Sequence, residues 1–106
     1  MHDPTTHPLD VAPITALKNL GPKSAAWLRA IGVHTLADLD RLGPLPCFAR
    51  LRAEGYPATL NLVYAMEGAL RGLDWRALPP QRREELRLAV NALKGQAEQD
   101  AGRRNG

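Results

Sequence analysis

The sequence predicts an all-α fold, a compact bundle of five to six short helices that opens with a helix-hairpin-helix-like unit. Three observations predict it. Leu and Ala dominate the 44% of residues that are apolar, and both favour helix, whereas β-branched residues are sparse. Nine glycines and nine prolines divide the chain into pieces of helical length. Within these pieces, apolar residues recur at the spacing of a buried helix face.

The first two helices are predicted on either side of a glycine turn. The first spans residues 14–20, with Ile14 and Leu17 facing inward. The second begins after Pro22, a favoured first-turn residue, and ends at Gly32 as a left-handed cap. One side of the second helix carries its apolar residues, which are Trp27, Leu28 and Ile31.

The third helix is predicted to begin at Thr35. The hydroxyl of Thr35 can cap the helix, while Asp38, three residues later, favours the positive end of its dipole. Residues 43–46, Gly-Pro-Leu-Pro, then break the chain. A fourth helix follows, marked by Phe48 and Leu51, and ends near Gly55.

The fifth helix, over about residues 59–71, is the most hydrophobic segment and is apolar on two sides, so it is predicted to lie at the centre of the bundle. Glu67 interrupts it and is predicted to pair with Arg71, four residues later. Gly68 and Gly72 are predicted to permit close helix approach or to end the helix. One of the two apolar stripes consists of Leu62, Met66, Ala69 and Leu73.

A last helix is predicted after Pro79 and Pro80, burying Leu86, Val90 and Leu93. Residues 1–12 lack periodicity and are predicted to be a flexible leader, and the polar residues 95–106 a flexible tail. The folded domain is therefore predicted to span residues 13–94.

Composition narrows the function classes. The net charge of +3 and a pI near 9.5 are compatible with a polyanionic partner. Cys47 is the single cysteine, which excludes an internal disulfide and is expected to be a small buried hydrophobe. There is no apolar run of membrane-spanning length, no secretory signal and no metal-ligand spacing. We therefore expect a cytoplasmic protein without membrane, metal or cofactor binding.

The turn between the first two helices is the candidate functional site. A glycine turn that enters a helix leaves backbone N–H groups unpaired, and the helix dipole adds partial positive charge, so a phosphate oxygen can bind there. Arg29 is predicted to add supporting charge. Such contacts would be independent of sequence and sensitive to salt. The residues predicted to contact nucleic acid at the turn are Asn19, Leu20, Gly21, Lys23 and Ser24.

The turn departs from the usual pattern of two glycines flanking an apolar residue, because Asn19 occupies the first glycine position. Asparagine tolerates the left-handed conformation, so the turn can still form. Its side chain is expected to crowd the approach of a phosphate. The alternative is a helix-helix turn that serves only the fold. Trp75 is predicted to fill the core, or, if it is exposed, to contact a partner.

Several motifs in order resemble the C-terminal domain of the TfoX/Sxy competence regulators. The resemblance covers about residues 14–93 and implies a small helical domain of bacterial regulators of DNA-uptake genes, which act with a transcription activator and are not enzymes. The sequence contains no paired carboxylates, no nucleophile-base set and no phosphate-loop motif, which agrees with the expectation of a protein that is not an enzyme. The motifs are Leu17-Lys-Asn-Leu-Gly21-Pro-Lys-Ser, Ile31-Gly-Val-His-Thr35-Leu-Ala-Asp-Leu39, Leu42-Gly43, Leu60-Asn-Leu-Val-Tyr64-Ala-Met-Glu-Gly68-Ala-Leu-Arg-Gly72 and Trp75-Arg-Ala-Leu-Pro79.

The sequence thus predicts a non-enzymatic binding module whose partners are the DNA backbone and a transcription regulator protein. The competing interpretation is a protein-protein adaptor in which the hairpin is only structural. The distribution of basic residues distinguishes the two, because a DNA-binding domain should present Lys18, Lys23 and Arg29 on one surface with the turn.

Overall fold

The computed structural model describes residues 13–14, 17 and 19–105, with side chains as far as residue 95. The fold is all-α, as predicted. The described elements are α1 (Pro22–Ala30), α2 (Leu36–Leu42), α3 (Pro44–Ala53), α4 (Leu60–Arg71), a 3₁₀ turn (Trp75–Ala77) and α5 (Pro80–Asn105).

The caps predicted around α1 and α2 are present. Gly32 has φ +89°, and the N–H of Val33 donates to the carbonyl of Leu28 at 2.9 Å, which ends α1. The Thr35 hydroxyl accepts from the Asp38 N–H at 3.2 Å, and the Asp38 carboxylate accepts from the Thr35 N–H at 3.3 Å. This capping box fixes where α2 begins. The pKa of Asp38 is lowered, chiefly by the hydrogen bond from the backbone of His34.

Helix α3 begins earlier than the sequence predicts. Gly43, with φ +89°, is the only break between α2 and α3 in this stretch, and the helix continues through Pro44 and Pro46. Both prolines lie in the first turn, where their missing N–H groups have no helical partner in any case. The glycine alone therefore separates the two helices.

Helix α4 lies at the centre of the bundle, as predicted, and contacts α2, α3 and α5. Val63 and Met66 are fully buried in it, and Gly72, with a left-handed φ of 69°, ends it. The predicted apolar stripe is wrong at Leu73, which is 38% exposed. The left-handed turn at Gly72 redirects the chain, so Leu73 no longer continues the helical face.

Glu67 is buried within α4 and holds α5 against it. The predicted pair with Arg71 is present at 2.9 Å, and Arg82 of α5 also donates to the carboxylate, at 2.8 and 3.3 Å. Burial raises the pKa of Glu67, but the hydrogen bonds and charges of Arg82 and Arg71 outweigh it and leave the pKa lowered. Glu67 is thus a structural carboxylate that joins two helices.

The α-helix predicted over residues 14–20 is not found at the described positions of that segment. Leu17 lies in a bend, and the N–H groups of Leu17 and Leu20 each donate to the third residue before, both at 3.4 Å. These are 3₁₀-type bonds. The Ile14 N–H instead donates to the His34 carbonyl at 2.9 Å. This hydrogen bond, and not α-helical pairing, holds the start of the segment in place.

The two predicted flexible ends have different outcomes. The leader, residues 1–12, lies outside the described residues. In the tail, the backbone is helical to Asn105, because α5 continues past residue 94 without interruption. The boundary of the domain at residue 94 stays a prediction.

Candidate functional site

The predicted turn opens onto a groove between α1 and α4. The groove has a volume of about 440 Å³. Lys23 is the only charged side chain among the described residues that line it. These residues are Asn19, Lys23, Ser24, Trp27, Pro57, Thr59, Asn61, Leu62, Ala65 and Trp75.

The N-terminus of α1 forms one part of the groove, and its donors are open. Gly21 is the N-cap residue and Pro22 the first helical residue, so neither supplies a capping side chain. Within the described part of the chain, the N–H groups of Gly21, Lys23 and Ser24 have no hydrogen-bond partner. The fourth predicted donor is occupied, because the Leu20 N–H donates to Leu17 and the Leu20 side chain is buried. Gly21 and Lys23 are exposed and Ser24 is half-buried, so the exposed end of α1 offers an anion the amides of Gly21 and Lys23 most directly.

The N-terminus of α4 opens onto the same groove, a position that the sequence did not predict. Thr59 is its N-cap residue, yet its side chain makes no capping hydrogen bond. The N–H groups of Leu60 and Asn61 have no partner among the described residues. Two uncapped helix N-termini therefore add partial positive charge to one groove. Thr59 marks the start of α4 in the sequence, but nothing local indicates that this start faces α1.

Asn19 has the left-handed conformation expected of it, with φ 76°. It lines the groove, and the expectation that its side chain crowds the approach of a phosphate stays a prediction. The Asn19 side-chain amide donates to the Leu73 carbonyl at 2.8 Å, and its carbonyl accepts from the Trp75 N–H at 3.3 Å. The amide nitrogen and the amide oxygen of the side chain thus both hold the turn against the segment that follows α4.

Gly68 makes this arrangement possible. A Cβ atom at position 68 would lie 2.8 Å from the Asn19 side-chain nitrogen and 2.8 Å from the Leu73 carbonyl oxygen. Such distances are below van der Waals contact, so only glycine allows α4 to approach the turn this closely. The predicted role of Gly68 in close approach is confirmed.

Two tryptophans line the groove. Lys23 Nζ lies 5.2 Å from the centre of the Trp27 ring, a cation–π distance, and Tyr56 packs against the same ring at 5.5 Å. Trp75 stacks on Tyr64 with ring centres 5.9 Å apart and planes 10° apart. Trp75 is half-buried and does not belong to the core cluster, so the prediction that it fills the core is wrong. Its exposed part forms a wall of the groove.

Arg29 is separated from the turn. It lies in the last turn of α1, six residues beyond Lys23, which corresponds to about 9 Å along the helix axis. Arg29 is exposed but does not line the groove. Lys18, which was expected on the same surface, lies outside the described residues. The structure therefore brings Lys23, and not Arg29, together with the open amides.

No group of three metal-ligating side chains occurs in the described residues, and none of their helices is long and apolar enough to cross a membrane. Cys47 is fully buried, and burial raises the pKa of its thiol to about 11. The fold and the groove thus define a helical domain with a groove of mixed polar and apolar lining, in which Lys23 is the charged residue among those described.

The chain belongs to the TfoX C-terminal domain family, whose model matches residues 12–90. This confirms the resemblance found in the sequence motifs. The chain is 32% identical over 77 residues to Protein Sxy of Escherichia coli (strain K12), covering 73% of this chain and 37% of that protein. It therefore spans about a third of the length of this relative.

The fold has also been seen in a crystal structure. That structure is of an uncharacterized protein from Listeria monocytogenes in a triclinic form, and the TM-score is 0.75 with 27% sequence identity. The similarity covers 79% of this chain and 96% of the Listeria chain. The shared fold thus extends over almost the whole of the Listeria chain.

Proposed function

We propose that this chain is a non-enzymatic binding module of bacterial regulators of the TfoX/Sxy kind, which works in the cytoplasm and contacts the DNA backbone at the N-terminus of α1. The observation that carries the proposal is the set of N–H groups of Gly21, Lys23 and Ser24, which have no hydrogen-bond partner among the described residues and lie at the helix terminus that also carries the Lys23 side chain. The net charge of +3 and membership of the TfoX C-terminal domain family support it.

The chemistry follows from the donors. A phosphate oxygen accepts hydrogen bonds from the open amides, the α1 dipole favours its negative charge, and Lys23 adds a charge-assisted bond. None of the described residues that line the groove is acidic, so none of these side chains carries a charge that repels the phosphate. Because phosphates carry no sequence information, the binding is expected to be non-specific and to weaken steeply with salt.

The test is fluorescence anisotropy of a labelled duplex of arbitrary sequence, titrated with the full chain at several salt concentrations. Lys23→Gln should weaken binding about equally for all sequences and reduce the slope of log K against log salt by about 1. Arg29→Gln is the matched control, since it removes the same charge from the other end of α1. An equal loss in both variants would show that binding is not centred on the α1 N-terminus.

The second candidate function is a protein-protein adaptor, with a transcription regulator as the partner. The hydrogen bonds of Asn19 favour it, because they give the turn a structural role that requires no ligand. Labelled DNA, double-stranded or single-stranded, whose anisotropy does not change with the chain at low salt would favour this function over DNA contact.

A further inference from the structure

We infer that the groove between α1 and α4 binds single-stranded nucleic acid, with a base against the Trp75 indole. This inference rests on the proposed function and names the class of nucleic acid. It is carried by a different observation, which is the pair of tryptophans, Trp27 and Trp75, in a groove whose only charged lining residue among those described is Lys23.

A DNA duplex does not stack its bases on the tryptophans that line such a groove. Its bases are paired and stacked inside the helix, and it presents phosphates to a protein that holds its backbone. An unpaired strand presents both phosphates and the flat faces of its bases, which stack on aromatic side chains. A groove that combines a cation with two indoles matches the second ligand.

Trp75 is a rigid platform for a base. Its ring stacks on Tyr64, whose hydroxyl donates to the Arg83 carbonyl at 3.2 Å. Its backbone N–H donates to Asn19 at 3.3 Å. The position of Trp75 is therefore fixed by the stacking of its ring and by the hydrogen bond of its main chain. Its half-buried side chain still lines the groove. Little conformational freedom is lost when a ligand stacks on a ring that is already fixed.

The Trp27 side of the groove supplies the charge. Lys23 Nζ lies over the Trp27 ring, at 5.2 Å from its centre, so the ammonium group is held at the groove. A strand lying in the groove can place a phosphate near Lys23 and the adjacent base near Trp75. The groove volume of about 440 Å³ is within the range of sites for small organic groups, and so suffices for a single base and its sugar.

The experiment compares a labelled oligo-dT of about 12 nucleotides, within the usual site size for non-specific single-strand binders, with a blunt-ended duplex of two separate strands carrying the same label. The full chain is titrated into each at low salt and followed by anisotropy. The oligo-dT should bind more tightly than the duplex and should quench the tryptophan emission. Equal binding of the two, without quenching, would overturn the inference and leave the proposed function standing. Binding of neither would overturn both.

Two variants locate the base. Trp75→Leu removes the aromatic face and should weaken oligo-dT binding by about 5- to 150-fold, the range expected for one stacked base, with duplex binding unchanged. Trp75→Phe keeps an aromatic ring and should retain most of the affinity for oligo-dT. Each variant is first checked for folding by circular dichroism. If Trp75→Leu does not fold, the comparison of Trp75→Phe with wild type and the quenching of wild-type emission decide the question. Equal oligo-dT binding by wild type and a folded Trp75→Leu would refute a base at Trp75.

Discussion

Gly68→Ala should destabilise the domain, because α4 approaches the turn too closely for a methyl group. The added Cβ would lie 2.8 Å from both the Asn19 side-chain nitrogen and the Leu73 carbonyl oxygen, and 3.2 Å from Trp75 Cα. The Asn19 side chain can move away, but only by losing its hydrogen bond to Leu73. The Leu73 carbonyl and Trp75 Cα belong to the main chain and cannot move without displacing the segment after α4.

The magnitude follows from three contributions. Overpacking of this kind costs about 1–3 kcal/mol. Loss of one hydrogen bond adds about 0.5–1.5 kcal/mol. The higher helix propensity of alanine returns about 1 kcal/mol. The free energy of unfolding should therefore fall by about 0.5–3.5 kcal/mol, and each kcal/mol corresponds to a decrease in Tm of about 4–8 °C for a domain of this size.

The assay is thermal and urea unfolding followed by circular dichroism at 222 nm, with Gly95→Ala as the matched control. Gly95 lies in α5 with nothing within 4 Å of its ideal Cβ and with no positive φ. The same substitution there should leave the Tm unchanged or raise it, by up to about 1 kcal/mol in stability. The reasoning is refuted if Gly68→Ala is as stable as Gly95→Ala, since the turn would then not be packed against α4.

Two further predictions concern buried groups. Glu67→Gln should lower the free energy of unfolding by roughly 1–3 kcal/mol at pH 7, because the charged hydrogen bonds to Arg82 and Arg71 are lost. Since the folded pKa of Glu67 lies below its ordinary value of 4.5, this contribution is present above pH 4.5 and disappears as the pH falls through the folded pKa. Urea titrations of both proteins from pH 7 to pH 3 should converge, and a constant gap would contradict the ion pair. Cys47, which is fully buried with a pKa raised to about 11, should react with a thiol reagent at pH 8 only in urea, and rapid reaction of the native chain would contradict its burial.

Local interactions made much of the fold predictable. The caps at Gly32 and Gly72 and the Thr35–Asp38 box depend on residues within a few positions of one another, so the sequence alone indicates where α1 and α4 end and where α2 begins. The central place of α4 was predictable for a similar reason, because a helix that is apolar on two sides must be covered on both. The family resemblance rested on these same local motifs.

Part of the candidate site was predictable as well. The sequence indicated the open N–H groups of Gly21, Lys23 and Ser24, because a glycine turn followed by proline supplies no cap to the helix that begins there. It did not indicate that the N-terminus of α4 shares their groove. That depends on how α1 and α4 pack, which no local pattern encodes.

The sequence by itself determined the helical class, the ends of α1 and α4, the start of α2 and the open turn, because each arises from contacts within one or two turns of chain. Only the tertiary structure decided that the Asn19 side chain forms hydrogen bonds with residues 54 and 56 positions away, and that Arg82 joins Glu67 across 15 positions. It also decided that Trp75 lines a groove instead of the core. These contacts join residues distant in sequence, and packing free energy over the whole bundle selects them.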